Sequence, residues 1–164
     1  MEISYGHIDG IKIGQIFETR QALIDAGMHP HREAGIWGSS KNAACSIVLS
    51  GGYEDDLDEL DFVLYTGHGG QKNKVQVADQ DFSAKRGWGN KGLVISYESN
   101  LPVRVIRGYQ IDNGPTSGYR YDGLYYVEKY ERVRGKSGYF VCRFYLRSES
   151  VSYTHLRAHE TTDN

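Results

Sequence analysis

Cys45-Ser46-Ile47-Val48-Leu49-Ser50-Gly51-Gly52-Tyr53-Glu54-Asp55-Asp56 begins as an apolar run and ends in a glycine turn carrying a ring and three carboxylates. The first six residues read as a strand, and the glycines supply the backbone freedom that a sharp exit from it requires. Eight residues further on, Tyr65-Thr66-Gly67-His68-Gly69-Gly70 closes a second strand candidate, Phe62 to Thr66. Each run offers an aromatic ring, a group that can hydrogen-bond in the plane of a flat ligand, and glycines that let backbone approach it closely. Tyr121-Asp122-Gly123 completes the set.

Outward from this pair, strands are expected at Cys45 to Ser50, Val103 to Arg107, Leu124 to Tyr130 and Tyr139 to Leu146, each bounded by Gly, Pro, Asn or Asp. A helix is expected from Glu18 to Ala26, with Ala22, Leu23 and Ala26 on one face and Gly27 as its stop. A second is expected over roughly Trp88 to Tyr97, although Gly89 and Gly92 oppose it. Met28 to Lys41, Gly67 to Arg86 and Gly108 to Tyr121 read as long irregular stretches, a length that points to binding or to disorder. With 20 Gly and 13 Tyr against 3 Pro, the expected class is β-rich α+β, a twisted, mostly antiparallel sheet closed toward a barrel with a few flanking helices. A chain of 164 residues suits one domain, placed at residues 1–150.

The formal charge of −2 excludes a wholesale basic coat of the kind that binds nucleic acid without discrimination. Charge is nonetheless segregated: acids crowd Glu54 to Asp61, while Lys72, Lys74, Lys85, Arg86, Lys91, Arg104 and Arg107 follow. Cys45 and Cys142 each sit in an apolar run and read as buried free thiols, so neither a disulfide scaffold nor a zinc knuckle is expected. No stretch is long and apolar enough to cross a bilayer, and the amino terminus lacks a secretory pattern. A soluble, cytoplasmic, monomeric protein without cofactor or metal is expected.

Val151 to Thr161 resembles the translation of a sequencing adapter read through into an assembled open reading frame. On that reading residues 151–164 form a disordered tail outside the fold, and the gene derives from bacterial or metagenomic fragments whose natural chain continues past Ser150. His155, His159 and Glu160 would otherwise suggest a metal site, since histidines at i and i+4 share a helix face; they are set aside with the tail.

A cytosine turned out of its stack wants aromatic surfaces on its two faces, which Tyr53 and Tyr65 could present from adjacent strands. Its exocyclic amine wants an acceptor, and the Asp56 carboxylate would favour it over the carbonyl of thymine. Thr66 could meet the O2 and N3 edge, while Ser50, Gly52 and Gly67 leave room at C5. His68 is either at the pocket mouth or in an exposed loop, and Glu54, Asp55 and Asp58 read as local loop acids. A base deaminase is excluded, because its His-x-Glu and Pro-Cys-x-x-Cys zinc motifs are missing.

At these residues the chain resembles the SRA (SET- and RING-associated, YDG) domain, the module that recognises modified cytosine by base flipping. The similarity runs from about Tyr5 to Arg147 and includes Tyr5-Gly6-His7-Ile8-Asp9-Gly10, Ala34-Gly35-Ile36, Ser46 to Asp56, Tyr65-Thr66-Gly67, Tyr121-Asp122-Gly123 and Gly135-Lys136-Ser137-Gly138. The resemblance implies an SRA/PUA-like fold, Tyr53 and Tyr65 as stacking rings, Asp56 and Thr66 as readers of the base edge, and Tyr121-Asp122-Gly123 as a signature that supports the pocket. It also implies two loops that enter the duplex, one at Arg32-Glu33 and one within Gln71 to Gln76, including Lys72 and Lys74. Arg32-Glu33 replaces the small apolar residue of the best-known animal members, and the second loop is shorter and lacks their Asn-Lys-Arg tip. Hemimethylated or CpG preference is therefore not implied.

The expected function is a non-enzymatic reader of double-stranded DNA carrying 5-methylcytosine or 5-hydroxymethylcytosine. Lys72, Lys74, Arg86, Arg104, Arg107 and Arg120 are candidate phosphate contacts. The alternatives are the targeting half of a modification-dependent restriction endonuclease whose nuclease lies beyond Ser150, and a β-rich protein-interaction module.

Overall fold

The computed structural model describes residues 2–51, 53–83, 85 and 87–151. Gly52, Arg86 and the tail from residue 152 onward, with the readings placed on them, lie outside the described residues.

Four elements precede the site: β1 (Ile16–Phe17), α1 (Arg20–Asp25), β2 (Ile36–Trp37) and β3 (Ser46–Leu49). β4 (Leu57–Asp58), β5 (Phe62–Thr66) and the hairpin β6 (Gln71–Lys72) with β7 (Val75–Gln76) follow. α2 (Trp88–Ser99) leads into β8 (Val103–Gly108), β9 (Tyr119–Arg134) and β10 (Phe140–Ser148). Among the described residues one eight-stranded sheet runs β2-β3-β8-β9-β10-β5-β4, with β1 paired to β9. The β3–β8 pair is parallel and the other pairs are antiparallel.

The sheet does not close into a barrel. Its two ends, β2 and β4, are each two residues long and share no ladder. Loop 50–56 carries the chain from β3 to β4, and the Tyr65 hydroxyl on β5 donates to the Gly35 carbonyl beside β2 at 3.3 Å. A side chain and a loop thus do at this gap what backbone pairing does elsewhere in the sheet.

Apolar residues fill both faces, which explains why β3 and β8 are buried along their whole length instead of alternating. Ile47, Leu49, Val103 and Val105 join Tyr65, Phe144 and α2 residue Leu93 in the larger core. Val48 and Ile106 point to the other face, where Phe17, Tyr119 and Tyr121 meet Leu23 of α1 and Met28. Thr19 caps α1 by accepting from the Ala22 N–H at 3.0 Å, and Gly27 ends it with φ +75°.

The glycines that opposed α2 explain its docking. A Cβ on Gly92 would lie 3.1–3.2 Å from the backbone of Gly38 and Ser39, so glycine there admits close backbone approach. The Ala44 N–H donates to the Gly92 carbonyl at 2.9 Å, and Ser96 Oγ donates to the Ala44 carbonyl at 2.8 Å. These bonds fix the start of β3, and hence the exit that carries the first glycine run.

Candidate functional site

Loop 50–56 leaves β3 through Gly51, where a Cβ would stand 2.8 Å from the Tyr53 ring; the ring folds back over this glycine. The Asp56 N–H donates to the Tyr53 carbonyl at 3.0 Å, which turns the chain into β4. Leu57 then pairs with Leu64, and this register brings Asp56 beside the end of β5. Asp56 Oδ1 accepts the Thr66 N–H at 2.7 Å. Burial raises the Asp56 carboxyl to about 6, opposed by the Thr66 contacts and reinforced by Asp55 and Asp58.

Thr66 is 2% exposed, and its Oγ1 is buried next to that carboxylate, near enough to favour the Asp56 anion, but it makes no hydrogen bond of good geometry with any described residue. An orphaned hydroxyl costs about 1–3 kcal/mol, a cost that a ligand with a complementary edge would remove. Ser50, Tyr53 and Asp56 line a cavity of about 380 Å³ whose far wall is Gln110 to Asn113. The stretch after β8 thus reaches the pocket, although its last residues, Tyr119 to Tyr121, belong to β9 rather than to a loop.

Tyr65 is 4% exposed and packs in the larger core. Burial first, then Asp56, then Tyr53 push its hydroxyl well above its usual range, so the three side chains stand within electrostatic reach of one another. A Cβ on Gly35 would come within 2.6 Å of the Tyr65 hydroxyl, and one on Gly67 would overlap the Asn90 amide.

The Tyr121-Asp122-Gly123 group acts at one remove from the cavity. Tyr121 is buried on the opposite face with its hydroxyl 2.7 Å from His7 Nδ1, and Gly123 adopts φ +100°. Asp122 accepts from Arg107 at 2.8 Å, and Arg107 in turn grips Asp58 of β4 through Nε and Nη2 at 2.7 and 2.8 Å. The signature therefore braces the strand that follows Asp56.

This network removes three phosphate candidates. Arg107 is 1% exposed, and Arg120 bonds Asp122 and the Asn113 carbonyl. Arg104, 0% exposed, donates to the carbonyls of Ser4 and Gly6 at 3.0 and 2.9 Å and lies 5.6 Å from the Trp37 ring centroid. Their positions on β8 and β9 gave no sign in the sequence of which cations the fold would consume.

The second loop is a hairpin whose turn residues, Asn73 and Lys74, take left-handed φ of 53° and 68°. Lys72 and Lys74 are exposed at its tip. Gln71 and Gln76 face inward instead: Gln71 Nε2 donates to the Gly67 carbonyl at 3.2 Å, and Gln76, 3% exposed, donates to the carbonyls of Gly69 and Ala78. Gln80, unforeseen in the sequence, donates to the Gly67 carbonyl at 2.8 Å and accepts from the Cys142 N–H at 2.9 Å, tying the loop to β10.

Arg32 and Glu33 are exposed, and the backbone beneath them is clamped. Arg20 donates to the carbonyls of His31, Glu33 and Ala34 at 2.9–3.3 Å. His29 spans Ser46 Oγ and the Ala34 carbonyl at 2.7 and 2.8 Å, and burial lowers it to about 3, so it is neutral. Rings connect this loop to the other: His31 to Trp88 at 5.9 Å, and Trp88 to His68 at 4.8 Å. His68 Nε2 accepts the Gly89 N–H at 3.2 Å, capping α2, which makes the histidine an element of structure. Both cysteine thiols are pushed up by burial, Cys45 to about 11 and Cys142 to about 12, and are inert at neutral pH.

Residues 4–150 match the SAD/SRA domain. The rat (Rattus norvegicus) E3 ubiquitin-protein ligase UHRF1 is 36% identical over 167 residues, covering 90% of this chain and 22% of that protein. The chain thus spans about a fifth of this curated relative. Among solved structures, the modification-dependent TagI restriction endonuclease superposes with a TM-score of 0.83 at 44% identity, over 89% of this chain and 52% of that one. The SUVH5 SRA domain in complex with hemimethylated CG DNA gives 0.74 at 38% identity, over 90% of this chain and 95% of that one.

Proposed function

The chain belongs to the SAD/SRA family, and on that premise we propose that it is a non-enzymatic reader of 5-modified cytosine in double-stranded DNA, taking the base out of the stack into the pocket at Tyr53. The observation that carries this reading is the Asp56–Thr66 pair: a carboxylate with one oxygen fixed by a backbone N–H, next to a buried hydroxyl that forms no well-aligned hydrogen bond among the described residues. A cytosine edge supplies the amine donor and the acceptors that would complete both groups, whereas thymine offers a carbonyl where the carboxylate needs a donor. Tyr53 and Tyr65 are the rings proposed to flank the base. Arg32, Glu33, Lys72 and Lys74 are the side chains proposed to face the duplex, from a loop and a hairpin tied together through Trp88. The SUVH5 complex supports the reading, since an SRA domain of the same fold there binds methylated DNA.

Matched duplexes carrying cytosine, 5-methylcytosine or 5-hydroxymethylcytosine at one position test it. Tighter binding to at least one modified duplex is expected, and equal affinity for all three refutes it.

A second reading makes this domain the targeting half of a modification-dependent restriction endonuclease acting on DNA in a bacterial cytoplasm. The similarity to TagI favours it, since the match covers about half of that chain and leaves room for a separate catalytic part. This polypeptide with Mg²⁺ should bind modified DNA without cutting it.

A further inference from the structure

Asp56, Leu57 and Leu64 form a wall with a cavity on each side. The cavity away from Tyr53, about 450 Å³, is lined by Asp55, Arg134, Gly135, Lys136 and Arg143. Three cations converge there from the β9–β10 hairpin, none of them among the phosphate candidates visible in the sequence.

Each retains unused donors. Arg134 commits Nη1 to the Gly138 carbonyl at 2.8 Å and stacks 4.8 Å from the Phe140 ring centroid, leaving its other N–H groups without partners among the described residues. Lys136 has no side-chain partner among those residues. Arg143 commits Nη2 to the Tyr145 hydroxyl at 3.1 Å and is ion-paired with Glu131 through Nε at 3.6 Å, a separation too long for a hydrogen bond, so its charge is shared with Glu131 while Nε still lacks an acceptor among the described residues. Of the nearby acids, Glu131 accepts the Tyr145 hydroxyl at 2.6 Å. Asp55 accepts the Lys136 N–H at 3.0 Å, and its carboxylate packs so closely on Gly135 that a Cβ there would stand 2.6 Å away. The Asp55 carboxylate is thus committed to the hairpin backbone.

We propose that this cavity is a phosphodiester subsite, taking a backbone phosphate that flanks the base held at Asp56; the proposal rests on the base-reading assignment above. A nucleotide leaves its stack by turning about its own backbone, so its flanking phosphates stay at the pocket rim. The shared wall puts the cations there. A monoanionic diester offers acceptors to the three cations that line this one space.

The test is equilibrium binding by Arg134→Gln/Lys136→Gln, with Arg143 retained, across a salt series on modified and unmodified duplexes. A second arm replaces each linkage flanking the modified cytosine by an uncharged methylphosphonate. The variant should weaken binding to both duplexes with their affinity ratio unchanged within about 2-fold, and log Kobs against log[salt] should become shallower by about 0.7–0.9 for each phosphate charge no longer neutralised. One neutral linkage should weaken the wild type more than the variant, which keeps Arg143 alone of the three cations. A wild-type salt slope in the variant, or equal penalties from the neutral linkages in both proteins, overturns the subsite. If the double variant melts early, Lys136→Gln alone, on an exposed turn, gives the same readout at smaller amplitude. A wild type that ignores the C5 group yet shows the linkage signature keeps the subsite and refutes the base reading; the converse pattern refutes the subsite.

Discussion

Asp56→Asn should raise stability while lowering recognition. Burial moves the carboxyl from 3.8 to about 6, which corresponds to roughly 3 kcal/mol at about 1.36 kcal/mol per unit. The folded state therefore holds a proton that the unfolded chain has already released between those two values. The stabilising contribution of the protonated form is complete below 3.8 and disappears as pH rises through about 6, so the whole penalty is present at pH 7.5. Asparagine is uncharged, and its Oδ1 can still accept the Thr66 N–H. Urea unfolding at half-unit steps from pH 4 to pH 8 should show the variant close to wild type at pH 4 and about 2–3 kcal/mol more stable at pH 7.5. Other titrating groups, His29 among them, act in both proteins and cancel in the difference. An Asn amide turned toward the cytosine amine presents donor to donor, so discrimination between modified cytosine and thymine should fall by about 1–3 kcal/mol. A stability difference independent of pH, or an Asn variant less stable than wild type at pH 7.5, would refute the reasoning.

Arg107→Met should cost about 3–5 kcal/mol, because it removes a buried cation and leaves half-buried Asp58 without its partner, and Lys should not restore the forked contact; a loss below about 1 kcal/mol in urea would contradict the bracing role. His29, held near 3, contributes stability that is full above its ordinary 6.5 and lost as pH falls toward 3, so His29→Gln should flatten the acid limb of the stability profile. A wild-type-minus-variant difference that stays constant from pH 7 to 4 would contradict this. Gly35→Ala should destabilise by about 1–3 kcal/mol through its clash with the Tyr65 hydroxyl, and adding Tyr65→Phe should recover part of that loss; strictly additive effects would show that the two do not meet.

The parts legible in the sequence are those that local chemistry dictates. Phe62 to Thr66 coincides with β5, and the glycine stop at Gly27 is where α1 ends. β9 begins at Tyr119, earlier than the expected Leu124, because Tyr119 and Arg120 pair with β1 and Tyr119 to Tyr121 pair with β8. The two-residue strands could not be seen, since pairing defines them and no periodicity develops over so short a length. Barrel closure was expected from the number of short strands, but closure depends on whether the two end strands find each other. Ser50, Tyr53 and Asp56 line one cavity, and Thr66 meets Asp56 through its backbone N–H without lining that cavity itself. Arg20, His29 and Gln80 escaped notice because their partners are backbone carbonyls and amides, which leave no trace in side-chain spacing. Arg104 and Arg107 misled for a related reason: a cation on a strand looks the same whether its destination is water, a backbone carbonyl or a carboxylate inside the fold.

The unclosed sheet has a mechanical consequence. At most seams of this domain, separation would break a ladder one rung per residue, whereas between β5 and the segment before β2 the described residues share one hydrogen bond, the 3.3 Å phenol-to-carbonyl contact, beside the apolar core that Tyr65 and Ile36 both enter. Parting there breaks one hydrogen bond worth about 1 kcal/mol instead of a ladder, in addition to uncovering the Tyr65 ring, so this is a seam held by side-chain burial instead of backbone pairing, and it runs through one of the two rings assigned to the base. A guest seated between those rings would act as a latch, so that occupancy would be felt as stiffness across the whole strand order from β2 to β4. Slower amide exchange at both ends of the sheet would accompany binding, well away from any atom that touches DNA.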